Sequence, residues 1–563
     1  MFRNEFATTI FNQKYAHEGA ETWPKLCRAL VDAVCGDLMP ADDKDQLVQY
    51  MTEFKWLAGG RYLANANKEW KAYNNCFLLA ATEDTRQDWA NLSRWSELCL
   101  TMGGGIGIDF SAYRPKGSPL KRSGGVASGA VSKALMINEI GRQVRQGGDR
   151  RSAMYGSLNW KHGDIDDFLA AKNWHDMPIA GTGKTIADVK AEDFNFPAPL
   201  DMMNVSVNYD TEWVQEYYKT GEPGRVFRKN VEQALRTSEP GFSFNMFEHE
   251  GETLRNACTE VVSHIDTPHD VCNLASLNFS RIENLQELED VTRLVTKFLL
   301  CGTLASALPY EECYRTRELN RRLGLGIMGL HEWLLARGYN YEVNDELHSW
   351  LDVYETASDA EATAFSKTLG VSRPKGVRAI APTGSIGILA GTTTGIEPLF
   401  AVAYKRRWLG PDNQWQYQYV VDSAAQEVID RYGVDPDKIE SALDLAAEPE
   451  RRLKFQADVQ KYVDQSISST VNLPAWGHEL NNEDTLDDYV DLVARYADKL
   501  RGLTFYADGS RGGQPLTAVP YSEASNQQGI TFIETHDVCE IGGKGGVCCA
   551  LQRSVESARH HVY

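Results

Sequence analysis

Across residues 74–110 the chain runs through Cys76-Phe77-Leu78-Leu79-Ala80-Ala81, the polar turn Thr82-Glu83-Asp84-Thr85, a helical stretch at 88–102, and Gly103-Gly104-Gly105, which leads into Ile106-Gly107-Ile108. Short apolar runs bounded by turn residues read as buried strands, and the polar turn can cap the helix between them. Strand and helix therefore alternate along this stretch. The pattern resumes at Met203-Asn204-Val205-Ser206-Val207, at Gly241-Phe242-Ser243-Phe244 and at Leu503-Thr504-Phe505-Tyr506. Residues 1–60 read instead as helices, with apolar residues at helical spacing in 29–34 and 47–51. Helical stretches at 285–308 and 319–337 flank Gly324-Leu325-Gly326-Ile327-Met328-Gly329, where small residues would allow close packing. His331 reads as a satisfied surface or core histidine.

A hydrophobic content of 42% over 563 residues supports a sizeable core, in three or four domains or one large barrel. The net charge of -20 excludes a broad nucleic-acid face but leaves room for a phosphorylated small molecule in a locally basic pocket. Residues 1–13 lack a signal-peptide progression, and no apolar run reaches the ~18 residues of a membrane span. A soluble, cytoplasmic protein is the expectation. Eleven cysteines, an odd number at irregular spacing, do not form a secreted disulfide framework. They point to redox, nucleophilic or metal chemistry.

In Asn256-Ala257-Cys258-Thr259-Glu260, an amide, a thiol and a carboxylate at alternate positions would share one side of an extended segment or loop tip. A buried core cysteine is the plainer reading of Cys258. Gly103-Gly104-Gly105 precedes its strand, the reverse of a dinucleotide-binding loop. Two glycine loops, 114–129 and 146–153, carry arginines and suggest a local anion site. Pro382-Thr383-Gly384-Ser385-Ile386 follows a short strand and would offer free amides at a helix start, an anion-binding arrangement. Gly181-Thr182-Gly183-Lys184-Thr185 resembles the end of a P-loop, as in an ATPase. Pro178 stands where the pattern requires glycine, however, and no hydrophobic strand leads in, so an exposed insertion is expected. His536, Cys539, Cys548 and Cys549 could ligate zinc in an interaction module, but adjacent cysteines beyond a glycine-rich loop are an atypical spacing.

Six motifs match one family in order: Asn74-Asn75-Cys76, the 256–260 pentapeptide, Cys272-Asn273-Leu274-Ala275-Ser276, the glycine motif at 324–329, Pro382-Thr383-Gly384-Ser385 and Gly395-Ile396-Glu397-Pro398. The chain resembles the large catalytic subunit of ribonucleotide reductase. The resemblance implies a ten-stranded α/β barrel over 61–510, in two parallel five-stranded halves around a central finger loop. A helical segment at 1–60, with no room for the family's ATP cone, precedes it, and a flexible redox tail at 511–563 follows. It also implies that Cys258 becomes a thiyl radical that removes the ribose 3' hydrogen, that Glu260 takes the 3' hydroxyl proton, and that Asn256 bonds the sugar and the carboxylate. Cys76 and Cys272 would form the reducing pair, reopened by Cys539, Cys548 or Cys549 and by a thioredoxin- or glutaredoxin-like dithiol. Asn75, Gly125 and Pro382, Thr383, Gly384, Ser385 and Ile386 would bind substrate. Glu83, Arg114, Lys121, Arg150 and Arg151 would bind a nucleotide specificity effector in a homodimer. No metal ligands are expected.

Oxygen-dependent members of the family relay a radical from a ferritin-like metal subunit through adjacent tyrosines. The corresponding stretch here is Phe505-Tyr506-Ala507-Asp508-Gly509-Ser510-Arg511, most like the adenosylcobalamin-dependent type. Phenylalanine cannot support a tyrosyl relay, so adenosylcobalamin is the expected radical source; Tyr506 keeps a separate radical-generating subunit as the alternative.

Overall fold

The computed structural model describes residues 2–66, 68–145, 151–409, 415–510 and 516–533. Five strands make the first half of a barrel: β1 (Cys76–Ala80), β2 (Gly105–Asp109), β3 (Met154–Asn159), β4 (Met203–Asp210) and β5 (Gly241–Asn245). Each pairs in parallel with the next. Parallel neighbours require a return crossover, and helices such as Arg86–Met102, Ala130–Gln143 and Arg225–Thr237 supply it. The first starts where the Thr85 hydroxyl accepts from the Asp88 amide at 3.2 Å, and it stops at Gly103, whose φ of 101° a side chain would resist.

After β5 the chain forms a hairpin of β6 (Leu254–Arg255) and β7 (Val262–Ser263), then β8 (Asp270–Val271), which runs antiparallel to β1. β8 leads directly into β9 (Leu274–Asn278), which pairs in parallel with β10 (Gly324–Met328). Leu325 of β10 bridges in parallel to Arg378, and Ile380 bridges in parallel to Ile467. That last segment continues as β11 (Thr470–Leu473) beside β12 (Gly502–Ala507), and β12 is antiparallel to β5. Ten strand segments therefore close a ring of two parallel halves joined by two antiparallel seams.

Side-chain alternation decides which face of each strand looks inward. Ile106 and Ile108 of β2 join the core beneath the first-half helices, whereas Gly105 and Gly107 face the hairpin inside the barrel. The glycine motif at 324–329 forms β10 and not part of a helical stretch. Its Gly-Leu-Gly-Ile order fits a strand of period two, with Leu325 and Ile327 buried against the helices. His331 is a core histidine: it lies fully buried, accepts from the Leu399 amide at 3.0 Å, and burial lowers its pKa to about 3.

Helices Trp23–Cys35 and Ala41–Thr52 pack against Leu285–Ala305, and strand Trp56–Ala58 adds antiparallel to β9. Strands Ala403–Leu409 and Trp415–Val421 form a separate antiparallel hairpin, widened by Leu516–Ala518 and Thr531–Phe532. Residues 516–533 thus carry regular structure within the stretch expected to be a tail. Among the described residues no helix is long and apolar enough to cross a membrane.

Candidate active site

The hairpin after β5 fits inside the barrel because β2 presents glycine at 105 and 107 on its inner face. A Cβ on Gly107 would lie 1.8 Å from the Arg255 carbonyl oxygen, and one on Gly105 would lie 3.1 Å from the Ala257 Cβ and 3.2 Å from the Cys76 sulfur. Across the barrel, the Glu260 carbonyl accepts from the Ser466 amide at 2.9 Å. The finger is held on both sides.

Of the two expected forms, an extended segment or a loop tip, the structure has the loop tip, folded as a tight turn. The Asn256 carbonyl accepts from the Thr259 amide at 3.0 Å, and the Asn256 side-chain oxygen accepts from the Val261 amide at 3.0 Å. Thr259 lies at a φ of 73°, in the left-handed region, so the three polar residues do not share one face by period two. Asn256 and Glu260 are buried, while Cys258 is exposed at the tip.

Cys76 and Cys272, distant in sequence, meet across the β1–β8 seam. The register Phe77 to Val271 and Leu78 to Asp270 sets them directly opposite, and the Cys272 amide donates to the Cys76 carbonyl at 3.0 Å. Opposed residues in an antiparallel pair bring their Cβ atoms to about 5 Å, within a small adjustment of disulfide geometry. Both thiols are free and buried. The Asn256 amide lies 3.8 Å from the Cys272 sulfur, and the Asn74 amide donates to the Cys272 carbonyl at 2.8 Å. The triplet and the cysteine pair therefore occupy one site.

Burial dominates the electrostatics there. It raises the Glu260 pKa to about 7, offset in part by the Glu260 backbone amide and by Asn256, and neither carboxylate oxygen has a partner in hydrogen-bond geometry. Although its surface is accessible, Cys258 is surrounded by protein at the finger tip, and desolvation there, with Glu260 and Cys76 nearby, pushes its thiol well up. Cys272 rises too, through burial and its contact with Cys76. Cys258 and Cys272 are held as neutral S–H groups beside a carboxyl able to gain or lose a proton near neutral pH.

Helix Gly384–Ala390 begins at the expected Pro-Thr-Gly-Ser turn. Pro382 and Gly384 are exposed, Ser385 is half-buried, and Ile386 is buried. Thr383 faces inward, its hydroxyl accepting from the Gly395 amide at 2.8 Å, which ties two motifs together. The Asn75 side-chain oxygen is buried without a partner, whereas Gly125 sits in an exposed loop. Of the expected effector residues, Arg114 pairs with Asp84 beside exposed Glu83, and Lys121 is exposed. Arg151 packs over the Phe194 ring at 4.7 Å and donates to the Asp201 carbonyl at 3.2 Å, so it belongs to a different cluster. Arg150, His536, Cys539, Cys548 and Cys549 lie outside the described residues. Gly181 to Thr185 is an exposed turn in which Lys184 pairs with Glu192.

Two features of the site escaped the sequence reading. Arg255 is a fully buried guanidinium at the base of the finger, and Phe505 faces away from the barrel interior, against Phe242 and Tyr489 in the outer core. The Gly-Ile-Glu-Pro motif turns out to hold the barrel together: Glu397 accepts from the Thr470 amide at 2.7 Å and pairs with Arg452.

The family model described as the ribonucleotide reductase barrel domain matches residues 74–195, 209–356 and 367–506. The chain belongs to the ribonucleotide reductase family. It is an enzyme that reduces ribonucleotides. The chain is 29% identical over 527 residues to a Mycobacterium tuberculosis protein named vitamin B12-dependent ribonucleoside-diphosphate reductase, a match covering 84% of this chain and 73% of that one. A Thermoplasma acidophilum protein of the same name is 26% identical, over 84% of this chain and 66% of its own. In fold, the chain is similar to the class Id ribonucleotide reductase alpha subunit of Actinobacillus ureae, with a TM-score of 0.67 at 17% identity over 90% of this chain and 97% of the other.

Proposed function

We propose that this reductase works by a thiyl-radical mechanism centred on Cys258. The Cys258 radical takes the 3' hydrogen of the ribose, and Glu260, poised near neutrality, takes the 3' hydroxyl proton. Cys76 and Cys272 then supply two electrons and two protons as the 2' hydroxyl leaves as water, and their sulfurs join in a disulfide. Cys258 then returns its hydrogen to C3' and Glu260 its proton to O3', restoring the 3' hydroxyl and regenerating the Cys258 radical. The observation that carries this reading is the convergence of five residues from three chain segments on one finger tip, with the sole exposed thiol of the three at its end.

The Pro382–Ile386 turn is assigned to the substrate phosphates, with Asn75 and Gly125 completing the substrate contacts. Glu83, Arg114, Lys121, Arg150 and Arg151 are assigned to a nucleotide effector in a homodimer. Cys539, Cys548 and Cys549 are assigned to reopening the disulfide with an external dithiol. Residues 61–510 would then be the catalytic barrel, 1–60 its helical lead-in and 511–563 its redox tail.

For the radical source we favour adenosylcobalamin, as the names of the relatives suggest. When bound, it supplies the homolytic chemistry that activates a nearby S–H bond. The exposure of Cys258 fits direct approach to the thiol, and the outward packing of Phe505 argues against a relay of adjacent rings. The deciding assay uses purified chain, ribonucleotides, a dithiol and adenosylcobalamin without a second protein. Deoxynucleotide formation that Cys258→Ser abolishes while nucleotide binding persists supports the reading; activity only with a ferritin-like partner overturns the cobalamin assignment.

A further inference from the structure

Arg255 is an unusual residue to place inside a barrel. Its side chain is 1% exposed, yet among the described residues it forms no salt bridge, and every hydrogen bond it makes goes to a neutral oxygen. An unpaired buried cation is costly, so the fold keeps one only where its hydrogen bonds accomplish something an apolar residue would not.

The pattern of those bonds shows what that is. The guanidinium donates to the Ser243 hydroxyl at 2.7 Å, to the Asn245 side-chain oxygen at 3.0 Å and to the Arg501 carbonyl at 2.6 Å, with a longer contact of 3.5 Å to the Phe244 carbonyl. All four acceptors lie on the antiparallel seam where β5 meets the start of β12. The remaining arm reaches back into the finger and donates to the Thr259 carbonyl at 3.2 Å.

Thr259 stands between Cys258 and Glu260, and at a φ of 73° it holds a conformation that a β-branched residue resists at a cost of about 1–3 kcal/mol. Relaxation of that one residue would rotate the peptide linking the thiol to the carboxyl. A rigid fork fixed to the barrel wall and bonded to the strained carbonyl opposes that rotation.

We propose that Arg255 is a positioning residue whose guanidinium clamps the left-handed Thr259 to the β5–β12 seam and thereby sets Cys258 in register with Glu260. This deepens the reading of Cys258 as the reacting thiol and rests on it. Glycine at 259 would adopt the same φ without strain and would need no clamp.

The test is a rescue experiment on the full chain. Arg255→Gln should lower kcat by about tenfold or more, the scale of loss expected from sub-ångström misplacement of a reacting group, with KM nearly unchanged. Arg255→Gln combined with Thr259→Gly should recover most of that loss. Arg255→Lys, which keeps the charge but lacks the fork, should fall between, and it serves in place of the glutamine variant if that does not fold. A purely structural role for Arg255 predicts no rescue by glycine at 259, and that result, or an unimpaired Arg255→Gln, overturns the proposal. Cys258 alkylation by iodoacetamide, mapped by mass spectrometry, gives a readout independent of turnover. Its rate should change in Arg255→Gln and return in the double variant. Restored alkylation in a chain that reduces no ribonucleotide would keep the clamp and reject the radical role of Cys258; alkylation unchanged across all variants would reject the clamp.

Discussion

Substitution of Glu260 by glutamine separates the cost of the buried carboxyl from its chemistry. Glu260 is 1% exposed and neither of its oxygens has a partner in hydrogen-bond geometry, so desolvation outweighs the partial support its ionised form draws from its backbone amide and Asn256. Burial moves its pKa from 4.5 to about 7. A carboxyl whose folded pKa exceeds its unfolded value is at no disadvantage while protonated. Its penalty develops as pH rises through 4.5 and is complete above about 7. At about 1.4 kcal/mol per pH unit, the full penalty is on the order of 3 kcal/mol. Glutamine keeps the shape and stays neutral, so Glu260→Gln should match wild type below pH 4.5 and exceed its stability by on the order of 3 kcal/mol above pH 7. Urea unfolding of both proteins across pH 4 to 8.5 (roughly the range that spans both pKa values) measures the difference, because other titrating groups are common to both. A stability difference that does not vary with pH, or a glutamine variant less stable at the alkaline end, would refute the reasoning. The same variant should form no deoxynucleotide, since a neutral amide cannot accept the proton.

Gly107→Ala should destabilise by about 1–3 kcal/mol or more, because its Cβ would sit 1.8 Å from a backbone oxygen of the finger; thermal unfolding measures the stability and steady-state assay the accompanying loss of turnover. Cys76→Ser and Cys272→Ser should each abolish multiple turnover, and peptide mapping after a reductant-free single turnover should find the 76–272 disulfide in wild type alone. Lys184→Ala should leave turnover unchanged, since Lys184 sits in an exposed turn paired with Glu192; abolished turnover would revive the P-loop reading.

What could be read from the chain was local or carried by motif. The apolar run at 76–81 and the glycine turn at 103–105 announced β1 and β2, because strand length, period and turn chemistry are properties of neighbouring residues. Gly324 to Gly329 misled, since alternating small residues suit a close-packed helix as well as a strand until the partner strands are known. Residues 256–260 left an extended segment and a loop tip both open, since neither the positive φ of Thr259 nor its bond from a guanidinium anchored on a distant seam is visible in the pentapeptide.

By itself, then, the sequence determined the family and with it the α/β barrel, and it named the candidates for the reacting residues, because all of these are carried by short segments whose order survives without a fold. The pairing of Cys76 with Cys272 was implied only through that family resemblance; the tertiary structure set the two opposite across a seam, left Cys258 exposed and Glu260 buried with a pKa of about 7, and turned Phe505 outward. Those properties depend on which strands meet at the seams and on how much water is excluded where they meet, and neither is encoded by any one stretch of chain.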